Sequence, residues 1–309
     1  MRHFLDLAGA GRTGLRAILD EAHRRKAVRG SVPRGAPDAD APLAGHVLAM
    51  LFEKPSTRTR FSFDMAMRQL GGSTIVTSAA DMQMGRGETV ADTARILSRM
   101  VDAVMIRTHD HATLEALADA GSVPVINGLT DLTHPCQAMS DMMTVEERLG
   151  RPVADSCWAW CGDGNNMAHS LIEAASVVGF DLKLAVPHGY DPDQAVVAMA
   201  GARGGNIDVL RSAAAAVDGA DVVATDCWIS MGQPNDKAKL AALAPFQVTP
   251  ALMARAAPHA VFLHCLPVHR GEEVLAAVID GPQSAVWDEA ENRLHVQKAI
   301  LLWCLGKLA

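Results

Sequence analysis

Short runs rich in apolar and β-branched residues alternate with stretches of helical periodicity over most of the chain, and this alternation is what most constrains its fold. A strand, an amphipathic helix and another strand read as one βαβ unit, and repeated units build a parallel sheet clothed by helices. In the first half the strand candidates are residues 46–52, 73–77, 103–107 and 123–127. Among the helices between them, Val90, Ala94, Leu97 and Val101 recur at spacings of four, three and four, so their shared face is expected to be core. The second half repeats the alternation, with strand candidates at 156–161, 182–186, 206–210, 221–224 and 260–264.

Two domains are expected. The chain has 309 residues and is 49% hydrophobic, enough for two cores of roughly 150 residues each. Gly150, Arg151 and Pro152 suit a boundary, because glycine favours a helix end and proline disfavours helix in the residue before it. The division is therefore placed at 1–150 and 151–309, giving an α/β fold of two doubly wound parallel-sheet domains. Residues 289–308 are long enough for a helix with Leu301, Leu305 and Leu308 on one face. That helix can stay with the second domain or pack back on the first. Residues 30–42, rich in Gly and Pro, read as a surface loop, and the alanine run 213–216 as part of an ordinary helix.

Charge narrows the function classes. A net charge of −7 offers no general attraction to a polyanion, so nucleic acid is not an expected partner. The basic cluster His23, Arg24, Arg25 and Lys26 reads as the solvated end of a helix. Asp6 interrupts the apolar run that a signal peptide needs, and no stretch of 18 apolar residues occurs, so a cytoplasmic protein with no membrane contact is expected. The cysteines at 136, 157, 161, 227, 265 and 304 form no C-x-x-C pair, which speaks against a disulfide framework and against a zinc site. Cys157 and Cys161 would face the same side of a strand as small buried hydrophobes.

The most informative segment runs from Phe52 to Phe63 and contains Ser56-Thr57-Arg58-Thr59-Arg60 between a strand and a helix. A helix amino terminus presents unpaired N–H groups and the positive end of the helix dipole. Hydroxyls of Ser56, Thr57 and Thr59 together with Arg58 can surround a phosphate with donors there, whereas simple capping requires only one hydroxyl. Arg60 is read as structural, because residues two apart on a helix point to different sides. The segment lacks the glycines and the Gly-Lys pair of a Walker loop, so nucleotide hydrolysis is disfavoured. The turn Gly162-Asp163-Gly164-Asn165-Asn166-Met167 fits G-x-G-x-x-G poorly, with Met167 replacing the third glycine, and a nicotinamide site is not expected.

The Ser-Thr-Arg-Thr-Arg run resembles the carbamoyl phosphate motif of the aspartate and ornithine carbamoyltransferases. Three further motifs agree in order: His134-Pro135-Cys136-Gln137, Asp226-Cys227-Trp228-Ile229-Ser230-Met231-Gly232 and His264-Cys265-Leu266-Pro267. The resemblance covers essentially the whole chain. It implies an active site in a cleft between two domains, with no metal or organic cofactor. It also implies carbamoyl phosphate and L-ornithine as substrates, citrulline and phosphate as products, and a place in arginine biosynthesis. The Asp226 loop and Cys265 favour the ornithine branch, since the aspartate branch usually carries proline where Cys265 stands.

Carried over residue by residue, the resemblance puts carbamoyl phosphate on Ser56, Thr57, Arg58, Thr59, Arg107, His134, Gln137, Cys265, Leu266 and Arg293. Gln83 resembles a residue lent by a neighbouring subunit, which implies a homotrimer or a multiple of trimers. The acceptor would be held by Asn166, Asp226, Ser230 and Met231, and the catalytic groups would be Cys265, Arg107, His134 and Asp226. Cys227 departs from the threonine common in its loop, without touching those assignments. Other acceptors, namely N-acetylornithine, putrescine or aspartate, and a catalytically silent binder of carbamoyl phosphate are the rival readings.

Overall fold

A computed structural model describes residues 1–78, 80–84, 87–229 and 236–308. The chain forms two compact units, Met1–Met139 with Glu291–Ala309, and Ser140–Ala290. In the first unit α1 (Gly11–Arg29) precedes β1 (Val47–Phe52), α2 (Thr57–Gln69), β2 (Ser73–Ser78), α3 (Val90–Leu97), β3 (Ala103–Arg107), α4 (His111–Ala120), β4 (Val125–Leu129) and the start of α5 (Pro135–Leu149). Its sheet has the order β2-β1-β3-β4 and is parallel throughout. β3 is buried along its whole length, the mark of a central strand covered on both faces.

The second unit continues with β5 (Cys157–Cys161), α6 (Asn166–Val178), β6 (Asp181–Ala185), α7 (Gln194–Ala202), β7 (Ile207–Leu210), α8 (Ala213–Val217), β8 (Val222–Thr225), α9 (Lys237–Leu243), α10 (Pro250–Met253), β9 (Val261–His264), α11 (Ala276–Ile279) and α12 (Val286–Cys304). Its parallel sheet has the order β7-β6-β5-β8-β9. Trp158, Trp160 and Phe180 are fully buried here, with Trp158 stacked on Phe180 at a centroid distance of 4.8 Å.

Every strand expected from the sequence is present, with ends shifted by a residue or two. The helix carrying Val90, Ala94 and Leu97 ends at Leu97, before Val101, yet all four pack into one core with β1 and β3. By contacts the compact units part inside α5. α5 runs unbroken to Leu149, but from Ser140 onward its residues join the second unit: Ser140 Oγ donates to the Glu289 carbonyl at 2.6 Å, and Arg148 pairs with Asp288 at 2.6 Å. Gly150 marks the end of a helix, which need not coincide with the place where contacts change partner.

The helix expected at 289–308 spans Val286–Cys304, and from Glu291 on it groups with the first unit. Within that unit Lys298, fully buried, reaches Asp38 at 2.6 Å and Gln69 Oε1 at 3.1 Å, while Trp303 meets Phe4 edge to face. Arg25 corrects its reading as a solvated end of α1. It is 4% exposed and ion-paired to Glu21, Asp38 and Asp40, and Arg29 adds a further bond to Asp38 at 2.6 Å. These pairs pin residues 30–42 to the body of the unit.

His295 lies among Lys26, Lys298 and Arg29. Burial first, then these cations, lower its pKa from 6.5 to about 3. Above pH 6.5 the ring is neutral in both folded and unfolded chains and contributes nothing. Below that, only the unfolded chain takes up the proton, so stability falls until about pH 3. Replacing His295 by Gln is expected to remove about 2 kcal/mol of the stability difference between pH 7 and pH 5, measured by urea unfolding.

Candidate active site

In the first sheet β1 has β2 on one side and β3 on the other, so the chain leaves the carboxyl ends of β1 and β3 in different directions. Ligands of open α/β sheets bind at such a switch point. Phe52 and Arg107 are register partners there, and Glu53 N–H donates to the Arg107 carbonyl at 2.9 Å. The Thr108 hydroxyl donates to the Glu53 carboxylate, tying the two strand ends together.

Ser56 caps α2. Its Oγ accepts from Thr59 N–H at 3.2 Å and donates to Thr59 Oγ1 at 3.1 Å. Thr57 is exposed and Arg58 half-buried at the same helix start, whereas Thr59 is 1% exposed. Arg293, from α12, converges on this point: Nη2 donates to Thr59 Oγ1 at 2.9 Å, and Nη1 donates to Gln137 Oε1 at 2.5 Å and to His134 Nε2 at 3.3 Å. Because a guanidinium only donates, His134 Nε2 accepts and the ring carries its proton on Nδ1. Burial, then Arg293, Arg107 and Arg58, hold the His134 pKa well below 6.5. A neutral imidazole thus sits among three guanidiniums beside a helix amino terminus, a strongly cationic cluster whose donors suit a doubly charged anion. Gln83 is exposed in the stretch after β2, and Arg60 is exposed on α2.

The second sheet has the same construction, with β5 between β6 and β8. The turn after β5 ends in Asn165, which caps α6 by accepting from Met167 and Ala168 N–H and sends its Nδ2 to Asp226 Oδ2 at 3.1 Å. Asn166 opens α6, half-buried. Asp226 follows β8, and its Oδ1 accepts from Cys227 N–H at 2.7 Å and from Cys265 Sγ at 2.9 Å. Burial, with Asp226 next, pushes the Cys265 pKa well above 9.0, so sulfur is present as thiol and donor. Ser230 and Met231 lie outside the described residues.

Cys265 and Leu266 follow β9 in an unusual conformation. Leu266 has φ of +56°, with a cis bond to Pro267. A positive φ in a branched side chain costs about 1–3 kcal/mol and persists only where neighbours enforce it. The enforcers are visible: His264 Nδ1 accepts from Leu266 N–H at 2.9 Å, His264 Nε2 donates to Glu273 at 3.1 Å, and Glu289 Oε2 accepts from His264 N–H at 2.9 Å. His264 and Glu273 are essentially inaccessible to solvent.

The sequence-derived residues thus gather in two groups: Ser56, Thr57, Arg58, Thr59, Arg107, His134, Gln137 and Arg293 in the first unit, and Asn166, Asp226, Cys265 and Leu266 in the second. Asn165, Glu273 and Glu289 join the second group through their bonds to Asp226 and His264. The helix-start pattern of Asn165 offered a hint. Glu273 and Glu289 are invisible in sequence because only the return of the chain brings them to His264.

Residues 2–147 match the carbamoyl-P binding domain of the aspartate/ornithine carbamoyltransferase family, and residues 154–304 match its Asp/Orn binding domain. A protein named ornithine carbamoyltransferase from Rhizorhabdus wittichii is 65% identical over 307 residues, 99% of each chain. One of the same name from Caulobacter vibrioides is 56% identical over 307 residues, 99% of this chain and 98% of the relative. The solved ornithine carbamoyltransferase of Pyrococcus furiosus superposes with a TM-score of 0.92 at 46% identity, covering 100% of this chain and 98% of that one. Arg58→Gly is expected to weaken binding of carbamoyl phosphate in calorimetry by about tenfold or more, the scale of one lost charge-assisted contact, while circular dichroism stays native. Unchanged affinity would remove Arg58 from the site.

Proposed function

The chain belongs to the aspartate/ornithine carbamoyltransferase family, and on that premise we propose that it transfers the carbamoyl group of carbamoyl phosphate to the side-chain amine of L-ornithine, releasing citrulline and phosphate. The observation that carries this reading is the cationic pocket around neutral His134 in the first unit, complemented by the Asp226–Cys265 pair in the second. The relatives' names and the matched domains support the same two substrates.

In this reading the phosphate rests on the amino terminus of α2, with Ser56, Thr57, Arg58 and Thr59, and Arg107 bridges phosphate and carbamoyl oxygen. His134, Gln137 and Arg293 hold the carbamoyl end. Asp226, with Asn166, Ser230 and Met231, receives the amino acid, its carboxylate facing an ammonium. The attacking amine must be neutral, and with a pKa of about 10.4 its deprotonation at pH 8 costs about 3 kcal/mol in water. Desolvation lowers the amine pKa and offsets that cost. As the amine adds to the carbamoyl carbon, Arg107, Thr59 and His134 stabilise the oxyanion, which collapses to expel phosphate while the added nitrogen gives up its proton to that leaving group. Cys265 orients the amine as a neutral thiol hydrogen-bonded to Asp226, and Leu266 lines the carbamoyl group.

We further propose a homotrimer, or a multiple of trimers, in which exposed Gln83 completes a neighbour's phosphate site, and a cytoplasmic enzyme of arginine biosynthesis. The family resemblance supports these finer statements. Among the described residues no helix is long and apolar enough to cross a membrane.

With carbamoyl phosphate supplied, citrulline is expected from ornithine and no product from N-acetylornithine, putrescine or aspartate, with a rate rising from about pH 6 to 8 as the amine deprotonates. Turnover of another acceptor alone would overturn the assignment of the Asp226 loop, and none at all would point to a silent binder. Mass spectrometry of the protein under turnover should detect no carbamoyl adduct on Cys265. An adduct present in the native protein and absent from Cys265→Ala would replace direct transfer by a covalent route.

A further inference from the structure

The turn at residues 162–166 is held rigidly. A Cβ on Gly164 would fall 2.1 Å from the Pro192 nitrogen and 2.3 Å from the Asp191 carbonyl carbon, so only glycine fits. Gly164 N–H also donates to the Tyr190 carbonyl at 2.7 Å. Two side chains leave this turn, one toward the residue directly after β8 and one toward the start of α9. Asn165 Nδ2 reaches Asp226 Oδ2 at 3.1 Å, directly after β8. Asp163 Oδ2 meets Lys239 Nζ at 2.6 Å, in the first turn of α9, with the two side chains 12% and 17% exposed.

We infer that Asp163 and Lys239 are a positioning pair for the amino-acid acceptor. They fasten the start of α9 to the turn that also grips Asp226 and presents Asn166. The two flanks of the segment from Asp226 to Lys239 are thereby referred to one rigid element, and the spacing between Asp226 and Asn166 is kept. The pair also settles the local charge. Burial and the like charge of Asp226 both raise the Asp163 pKa, and Lys239 opposes them. With Lys239 in place Asp163 is neutralised within its own pair, so its charge does not compete with Asp226 for a cationic group. This inference rests on the ornithine reading above.

The test uses the full-length enzyme and steady-state kinetics with ornithine, alongside calorimetry with carbamoyl phosphate. Lys239→Met breaks a largely buried pair, so an Asp163→Asn, Lys239→Met double variant is made beside it to avoid an unpaired buried carboxylate that can prevent folding. Both are expected to raise KM for ornithine about tenfold or more, with kcat within about threefold of the parent and carbamoyl phosphate affinity unchanged. Lys239→Arg, which keeps a charged donor, should restore most of the loss. A double variant with the parent's KM, or a loss falling equally on kcat and on carbamoyl phosphate affinity, overturns the positioning role. Absence of ornithine turnover by the parent itself overturns the activity reading and this inference with it.

Discussion

In a parallel sheet whose first strand later gains neighbours on both sides, the chain leaves the carboxyl ends of adjacent strands in opposite directions, and backbone cannot fill the crevice between them. β1 stands in that position in the first sheet and β5 in the second. Much of the candidate chemistry is placed by that constraint. The loops after β1 and β3 deliver Ser56 to Thr59 and Arg107, and those after β5, β8 and β9 deliver Asn165, Asp226 and Cys265. In both units the strand is followed directly by a side-chain-capped helix, so fixed N–H donors stand beside the crevice at no further conformational cost.

Upon this shared construction the two units place opposite charges. Burial, with Arg293, Arg107 and Arg58 around the ring, keeps His134 neutral, so the imidazole is a fixed hydrogen-bonding group rather than a further cation. Around Cys265 the arrangement is reversed: burial, and Asp226 accepting from the thiol, suppress its ionisation. One pocket suits an anionic donor and the other an amine, and the same charges that would bind the substrates also set the protonation states of the residues beside them. A thiolate at Cys265 would be a competing nucleophile, and a carboxylate 2.9 Å away is an effective way to prevent it.

Behind these groups lies buried ionic scaffolding. Lys298, Arg25 and Arg29 meet on Asp38, and His264 is held between Glu273 and the Leu266 amide. Desolvating such groups is expensive, and a buried pair is weak ground for stability as such. Their value here is geometric. Asp38 anchors the loop before β1 and one turn of α12, the helix that carries Arg293, while the His264 network enforces the strained backbone that presents Cys265.

Alternation of strands and helices, the helix-start cluster of hydroxyls and arginines, and the composition of the loops after β8 and β9 were all legible in the chain itself. They depend on local periodicity, capping and residue chemistry, which short windows record. What was not legible depended on distant return. Contacts change partner inside α5 without any break in the helix. Arg25 proved buried, since the acids that neutralise it at Asp38 and Asp40 lie in a stretch whose sequence reads only as a surface loop. Glu273, Glu289 and Lys239 carry no local signal at all and become meaningful only beside His264 and Asp163. The sequence by itself determined the parallel α/β architecture and the chemical character of both pockets. Tertiary structure alone decided which residues hold those pockets in shape, because burial and long-range pairing of charge are properties of the folded chain and of no segment within it.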